Sequence, residues 1–303
     1  MNEVHLRVGT FTPSLLIHVA RGDGSLRRAG LEVEESSVTS SPAQFLSLEA
    51  GELDLALTSP DNVLAYRFLS QNPLGRNLAV EILCAVDRGL GLSLVLGPLT
   101  TSIEDVRGAV VGVDVAQSGF AFIAYELLDR AGLAPGSYLV EALGSTPRRT
   151  SALIAGECAA TVLNAGNELR AEGEGCTIVS EVTQIAPYLG TVVAALASND
   201  SRVDETRRRF TDTLLETALA VIERRRDSQV VEAAMSLLDL DEAQARTHLE
   251  RMTSRATGLV PDGYVDLASM ATLVELRRRY RPTTELDSVL DSLGDVVNRR
   301  AWA

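Results

Sequence analysis

No lysine occurs in this 303-residue chain; all 28 basic residues are arginine. Chemistry that runs through a lysine Schiff base is therefore excluded. Cysteine and histidine are nearly as scarce, at three each. Cys84, Cys158 and Cys176 are far apart and odd in number, which fits neither a disulfide framework nor a CxxC metal pattern. Cys84 lies in an apolar run and reads as a small buried hydrophobe. His5, His18 and His248 are scattered, with no HExxH or similar ligand spacing, so neither a metal nor a cofactor is expected. Positive charge is short overall: 41 acidic residues leave a net charge of −13. Binding to nucleic acid or to an anionic membrane surface needs clustered positive charge, and neither is expected. No apolar run approaches the ~20 residues that span a bilayer, so membrane insertion is not expected. The opening MNEVHLRVGTF reads as a strand rather than as a leader. The chain is cytoplasmic as the sequence stands, or extracytoplasmic if a leader was removed.

Aromatic residues make up only 4% of a chain that is 46% hydrophobic, so the core must be built mainly from Ala, Val and Leu. The length suits two domains. Strand patterns at 4–9, 31–33, 53–57 and 79–86 alternate with helical patterns at 15–21, 42–50 and 60–70. Strand 92–96 follows, and after TSIEDVRG a second series runs through strands 109–114, 138–143, 159–163 and 176–182, with helices at 119–131 and 147–155, and then strand 191–197. This alternation predicts an α/β fold with mainly parallel sheets. From Asp200 onward helical periodicity dominates, over 201–226, 228–238, 241–254, 264–280 and 284–298, broken chiefly by TGLVPDGYVD.

Four strand-to-helix junctions share a hydroxyl followed by proline: Thr12-Pro13, Ser41-Pro42, Ser59-Pro60 and Thr146-Pro147. The hydroxyl suits an N-cap and the proline the first helical position. Ser118-Gly119 has the hydroxyl alone, and Ser41 with Gln44 matches a capping box. In a parallel sheet these turns gather at the carboxyl edge, where helix amino ends offer free N–H groups and partial positive charge. Such an edge suits a carboxylate, a sulfonate, a phosphate-like group or a strongly polar one.

The stretch GTFTPSLLIHVARGDGSLRRAGLEVEESSVTSSPAQFLSLEAGELDLALTSPDNVLAY resembles the start of substrate-binding proteins of the nitrate, taurine and alkanesulfonate transport group, to which thiamine-precursor-binding proteins also belong. DVRGAVVGVDVAQSG and LIAGECAATVLN resemble the matching pieces of the second domain. The resemblance covers roughly residues 4–198. It implies a two-lobed type II periplasmic-binding-protein-like fold with a helical C-terminal layer. Lobe I would take residues 1–87 plus 196–303 and lobe II residues 88–195, with crossings near 87–91 and 189–196. It further implies a ligand cleft lined by Thr10, Phe11, Ser40, Ser41, Thr58, Ser59, Asp61 and Asn62 on one side. Ser118, Gly119, Phe120, Asn164 and Tyr188 would lie on the other. Arg88, Arg148 and Arg149 are candidate anion partners, Arg88 foremost, because a guanidinium holds an oxyanion bidentately.

Two functions are consistent with this. One is an ABC-transporter-type receptor for a small polar or anionic organic molecule, with a permease as partner. The other is a cytoplasmic enzyme on the same scaffold, a decarboxylase or lyase or a pyrimidine-precursor-synthase-like protein, acting on a small aromatic or heterocyclic acid. Asp61 or Asp87 could then serve as a base. A sensor or partner-binding module is a third possibility, with the helical tail either serving a partner or simply covering the sheet.

Overall fold

The alternation in VHLRVGT turns Leu6 and Val8 inward and makes the first strand, β1 (Val4–Thr10), of a computed structural model that describes residues 3–297. It is followed by β2 (Leu31–Ser37), β3 (Leu55–Thr58), β4 (Val80–Asp87), β5 (Ser93–Leu96), β6 (Val110–Val113), β7 (Leu139–Ala142), β8 (Ala160–Leu163), β9 (Thr177–Glu181) and β10 (Thr191–Leu196). Between and after them run α1 (Leu15–Gly22), α2 (Ser25–Arg28), α3 (Ser41–Glu49), α4 (Pro60–Phe68), α5 (Gly119–Arg130), α6 (Thr146–Ile154) and α7 (Asn167–Gly173). The tail holds α8 (Ser201–Ile222), α9 (Asp227–Leu238), α10 (Glu242–Thr253) and α11 (Leu267–Tyr280).

The strands form two five-stranded sheets, ordered β2-β1-β3-β10-β4 and β7-β6-β8-β5-β9. The central strands β3 (LALT) and β8 (ATVL) are buried along their whole length, as strands covered on both faces must be. Each sheet has one antiparallel strand next to its centre: β10 runs against β3 and β4, and β5 against β8 and β9. Each of these is the strand with which the chain enters that sheet after leaving the other. Residues 191–195, which the resemblance leaves in the second lobe, therefore pair in the first sheet. The reason is local: Gly190 and Gly89 let the two crossings touch backbone to backbone, since a Cβ on Gly190 would come within 2.6 Å of Gly89 Cα.

Helices α8–α10 and α1 pack with the first sheet in one apolar cluster. A second cluster runs from β4 and β10 through α11 and α5 to β6, so the core is continuous between the sheets. The stretch 284–298 is not the continuous helix that its periodicity predicts. Leu286, Val289, Leu293 and Val296 are buried, but the backbone forms only 3₁₀ turns at Thr284–Ser288 and Leu293–Asp295. Gly294 weakens a helix there, and Val296 O accepts a hydrogen bond from Ile82 N (2.7 Å) on the outer edge of β4. Asn298 lies outside the described residues, as do residues 1, 2 and 299–303 of the expected lobe I. The TGLVPDGYVD segment covers the same edge, through Val260 N to Val86 O (2.9 Å) and Ala85 N to Gly263 O (2.8 Å). An otherwise open strand edge is thus blocked.

Candidate functional site

The strand-to-helix turns do gather between the two sheets, but their caps sit one or two residues away from several of the expected places. Ser14, not Thr12, caps α1 and accepts from Ile17 N. Ser40, not Ser41, caps α3, and Ser145 precedes Thr146 at α6. In these two cases proline falls at the second helical position. Ser59 and Ser118 cap α4 and α5 as expected. The Ser41–Gln44 capping box is absent, because the Gln44 amide instead donates to Gly9 O (3.0 Å) and Leu57 O (3.1 Å), stitching β1 to β3.

A cavity of about 110 Å³ opens where the ends of β1, β3 and β4 meet α5, α6 and the β8–α7 turn. Six of the thirteen cleft-lining residues implied by the resemblance border it: Thr10, Phe11, Thr58, Ser59, Phe120 and Asn164. The rest are used elsewhere. Asp61 is fully buried in a two-point pair with Arg277, whose Nε and Nη2 donate to Oδ1 (2.8 Å) and Oδ2 (2.5 Å). Asp61 also backs onto Gly119, where a Cβ would lie 2.6 Å from that of Asp61. Asn62 donates to Thr58 Oγ1 (3.0 Å) and, with Ser41 and Ser118, borders a smaller cavity of about 30 Å³ beside Arg277. Ser40 is occupied as a cap. Tyr188 is buried at the second crossing near Gly89 and Ser59. Its hydroxyl is pushed well above the ordinary range by burial and then by the Asp61 charge.

None of the three candidate arginines faces the cavity. Arg88 pairs with Asp266 (3.2 Å), and Arg148 is exposed. Arg149 is buried and donates to Gly144 O (2.6 Å), Val162 O (3.1 Å) and Thr146 Oγ1 (3.2 Å). Thr146 in turn bonds Asn164 Oδ1 (3.3 Å), so Arg149 acts by fixing Asn164. Asp87 lines the cavity at the first crossing, its Oδ1 accepting from Gly89 N (2.9 Å) and Leu90 N (3.0 Å). Burial raises its pKa, opposed first by the hydrogen bond from Thr191.

Sequence reasoning missed the contribution of the C-terminal helices. Leu238, His248, Met252 and Leu259 line the cavity, so the tail does more than cover the sheet. His248 is 1% exposed and its Nδ1 has no partner among the described residues. Burial, reinforced by the Arg251 charge, holds the imidazole down at about 4. The available signal is the spacing Gln244, His248, Arg251, which places all three on one face of α10. Gln244 donates to Leu169 O (2.9 Å) and Arg251 to Glu168 Oε1 (2.6 Å), both on α7. Asn167 adds a bond to Thr12 Oγ1 (3.2 Å). The cavity is thus closed by bonds between α7, which packs with the second sheet, and elements of the first.

No family model and no curated protein matches the sequence. Solved structures match along nearly the whole chain. The alkanesulfonate-binding protein SsuA from Xanthomonas axonopodis pv. citri, bound to MOPS, has a TM-score of 0.76 at 13% identity, over 98% of this chain and 99% of that one. The periplasmic nitrate-binding protein NrtA from Synechocystis PCC 6803 also has a TM-score of 0.76 at 13% identity, over 98% and 86%. The aliphatic sulphonate binding protein SsuA from Escherichia coli has a TM-score of 0.65 at 15% identity, over 91% of each chain. The chain has the two-lobed, periplasmic-binding-protein-like fold that these solute-binding proteins share. No helix among the described residues is long and apolar enough to cross a membrane.

Proposed function

We propose that the protein is a hinged solute receptor that closes two lobes over a small polar molecule and hands it to an ABC-type permease. Among the described residues, lobe I takes 3–87 together with the chain from β10 to residue 297, and lobe II takes the residues between. The observation that supports this reading is the cavity at the crossings, lined from both sheets and bordered by the bonds of Gln244 and Arg251 to α7. Thr10, Phe11, Thr58, Ser59, Phe120 and Asn164 are the proposed ligand contacts. A room of about 110 Å³ compares with the roughly 150 Å³ that accommodates benzene in an engineered cavity, so the ligand is compact. Its polar groups are met by hydroxyls and one amide, and its body by Phe11, Leu57 and Phe120, the usual make-up of a small-molecule site.

The test is a thermal-shift screen of small amides, amines, carboxylates and sulfonates, followed by X-ray scattering and mass spectrometry on the hits. A receptor is stabilised by its ligand, by about 2.7 kcal/mol at a hundredfold excess over Kd, contracts on binding, and returns the ligand with its mass unchanged. A hit converted to product would refute the receptor reading and restore the enzyme.

A further inference from the structure

Four of the helix amino ends around the cleft already hold the protein's own carboxylates. At α1, Glu35 Oε1 accepts from Ser14 N (2.7 Å) and Thr10 Oγ1 (2.8 Å). At α4, Asp61 sits in the first turn, and it also abuts Gly119 at the start of α5. The α5 cap, Ser118, donates to the Asp114 carboxylate. At α7, Glu168 Oε2 accepts from Gly166 N (3.0 Å). Glu35 and Asp114 offset the positive end of their dipoles, which is what an anionic ligand would otherwise use, while Asp61 and Glu168 fill theirs as halves of ion pairs with Arg277 and Arg251. The starts of α3 and α6 are the exceptions; of the two arginines near the start of α6, Arg148 is exposed and Arg149 is committed to backbone carbonyls and Thr146.

The cavity wall agrees with this. Among the described residues lining it there is no arginine, while Asp87 contributes a carboxylate. His248 lies between the two α10 residues that bridge to α7, yet makes no such bond itself, and its buried Nδ1 is unpartnered. An unpaired polar atom inside a protein is costly unless something satisfies it. A neutral imidazole has one donor and one acceptor nitrogen.

We propose that the cleft takes a compact, non-anionic molecule whose polar head donates hydrogen bonds, such as an amine, an amide or a ring N–H, and that His248 accepts one of them as a neutral imidazole. This rests on the receptor reading above and narrows it. The α10 helix then both latches the second lobe, through Gln244 and Arg251, and reads the ligand between those two contacts.

The experiment compares four probes with one branched carbon skeleton by titration calorimetry on the full chain: isovaleramide, 3-methylbutylamine, isovalerate and 3-methylbutane-1-sulfonate. The amide or the amine binds at least tenfold tighter than either anion. His248→Ala weakens the better of them at least fivefold, and His248→Gln, which keeps an acceptor, recovers part of the loss. Anions that bind as well or better, four equal affinities, or no binding by any probe overturns the proposal. Thr12→Trp, filling the cavity from a half-buried position, separates the two levels of inference. Binding that vanishes in this variant places the probe in the cleft, so an anion preference lost with it overturns only the charge class. Binding that survives overturns the cleft itself.

Discussion

Replacing His248 by glutamine should shift the protein's stability towards acid, and replacing Glu168 by glutamine should shift it the other way. His248 is neutral in both folded and unfolded chains above its ordinary pKa of 6.5. As pH falls from 6.5 towards about 4, the unfolded chain takes up a proton that the buried ring refuses, and stability is lost. At pH 5 that loss is about 2 kcal/mol, from roughly 1.5 pH units at about 1.4 kcal/mol each. Glu168 carries the opposite sign. Burial raises it from 4.5 to about 7 against the pull of Arg251, so its stabilising effect is fully present below 4.5 and is lost as pH rises to 7. Between pH 7 and pH 5 it gives back about 2 kcal/mol. In the parent the two effects nearly cancel over this window. Relative to the parent, His248→Gln therefore gains about 2 kcal/mol on going from pH 7 to pH 5, and Glu168→Gln loses as much. Urea unfolding followed by circular dichroism at pH 5, 6 and 7 measures this, and at about 2 °C per kcal/mol the melting temperatures diverge by about 4 °C each way. Profiles that stay parallel to the parent would refute the reasoning, whatever either substitution costs at pH 7.

Three further outcomes follow from the geometry. Arg277→Met strands the buried Asp61 carboxylate and should cost about 3–5 kcal/mol, whereas Asp61→Leu with Arg277→Met recovers most of it in a denaturation cycle. Gly190→Ala drives a methyl into Asp87 Oδ1 and the Gly89 backbone, neither of which can yield; a loss of about 1–3 kcal/mol is expected by the same assay. Asn164→Ala should weaken binding of any ligand found in the thermal-shift screen at least fivefold by calorimetry, while Arg88→Ala, whose side chain faces Asp266, should leave it within twofold.

The strand and helix order could be read closely because each element carries its own pattern: β1 alternates, β3 and β8 are short, mostly apolar runs, and α8–α11 repeat at helical spacing. The turns could be read to within two residues, since Ser40-Ser41 and Ser145-Thr146 offer two adjacent hydroxyls, and Thr12 and Ser14 two nearby ones, and sequence alone does not choose between them. What the sequence hides is pairing over long separation. Nothing near Asp61 announces Arg277, 216 residues away, or near Glu168 announces Arg251. Those distant cations and carboxylates decide which polar residues remain free for a ligand. Arg88 and Asp61 are therefore spent on internal pairs, and His248, with no motif around it, reaches the cleft. The 284–298 stretch fails for a related reason: its helical spacing is outcompeted by the open edge of β4, a partner some 200 residues upstream.

The crossing strands also set an order of assembly. In the first sheet β10 lies between β3 and β4, so β4 has no neighbouring strand until residue 196 has been made. The strands of the second sheet are contiguous, from residue 93 to 181, and its ladder needs no later strand. During synthesis the inner sheet can therefore complete its strand ladder while the outer one is half built, its β4 waiting exposed. The wait ends when the chain returns, and the late TGLVPDGYVD segment and Val296 then seal the far side of the same strand. Chain growth from one end, combined with slow long-range strand pairing, makes β4 the last strand protected and the one most open to mispairing on the ribosome.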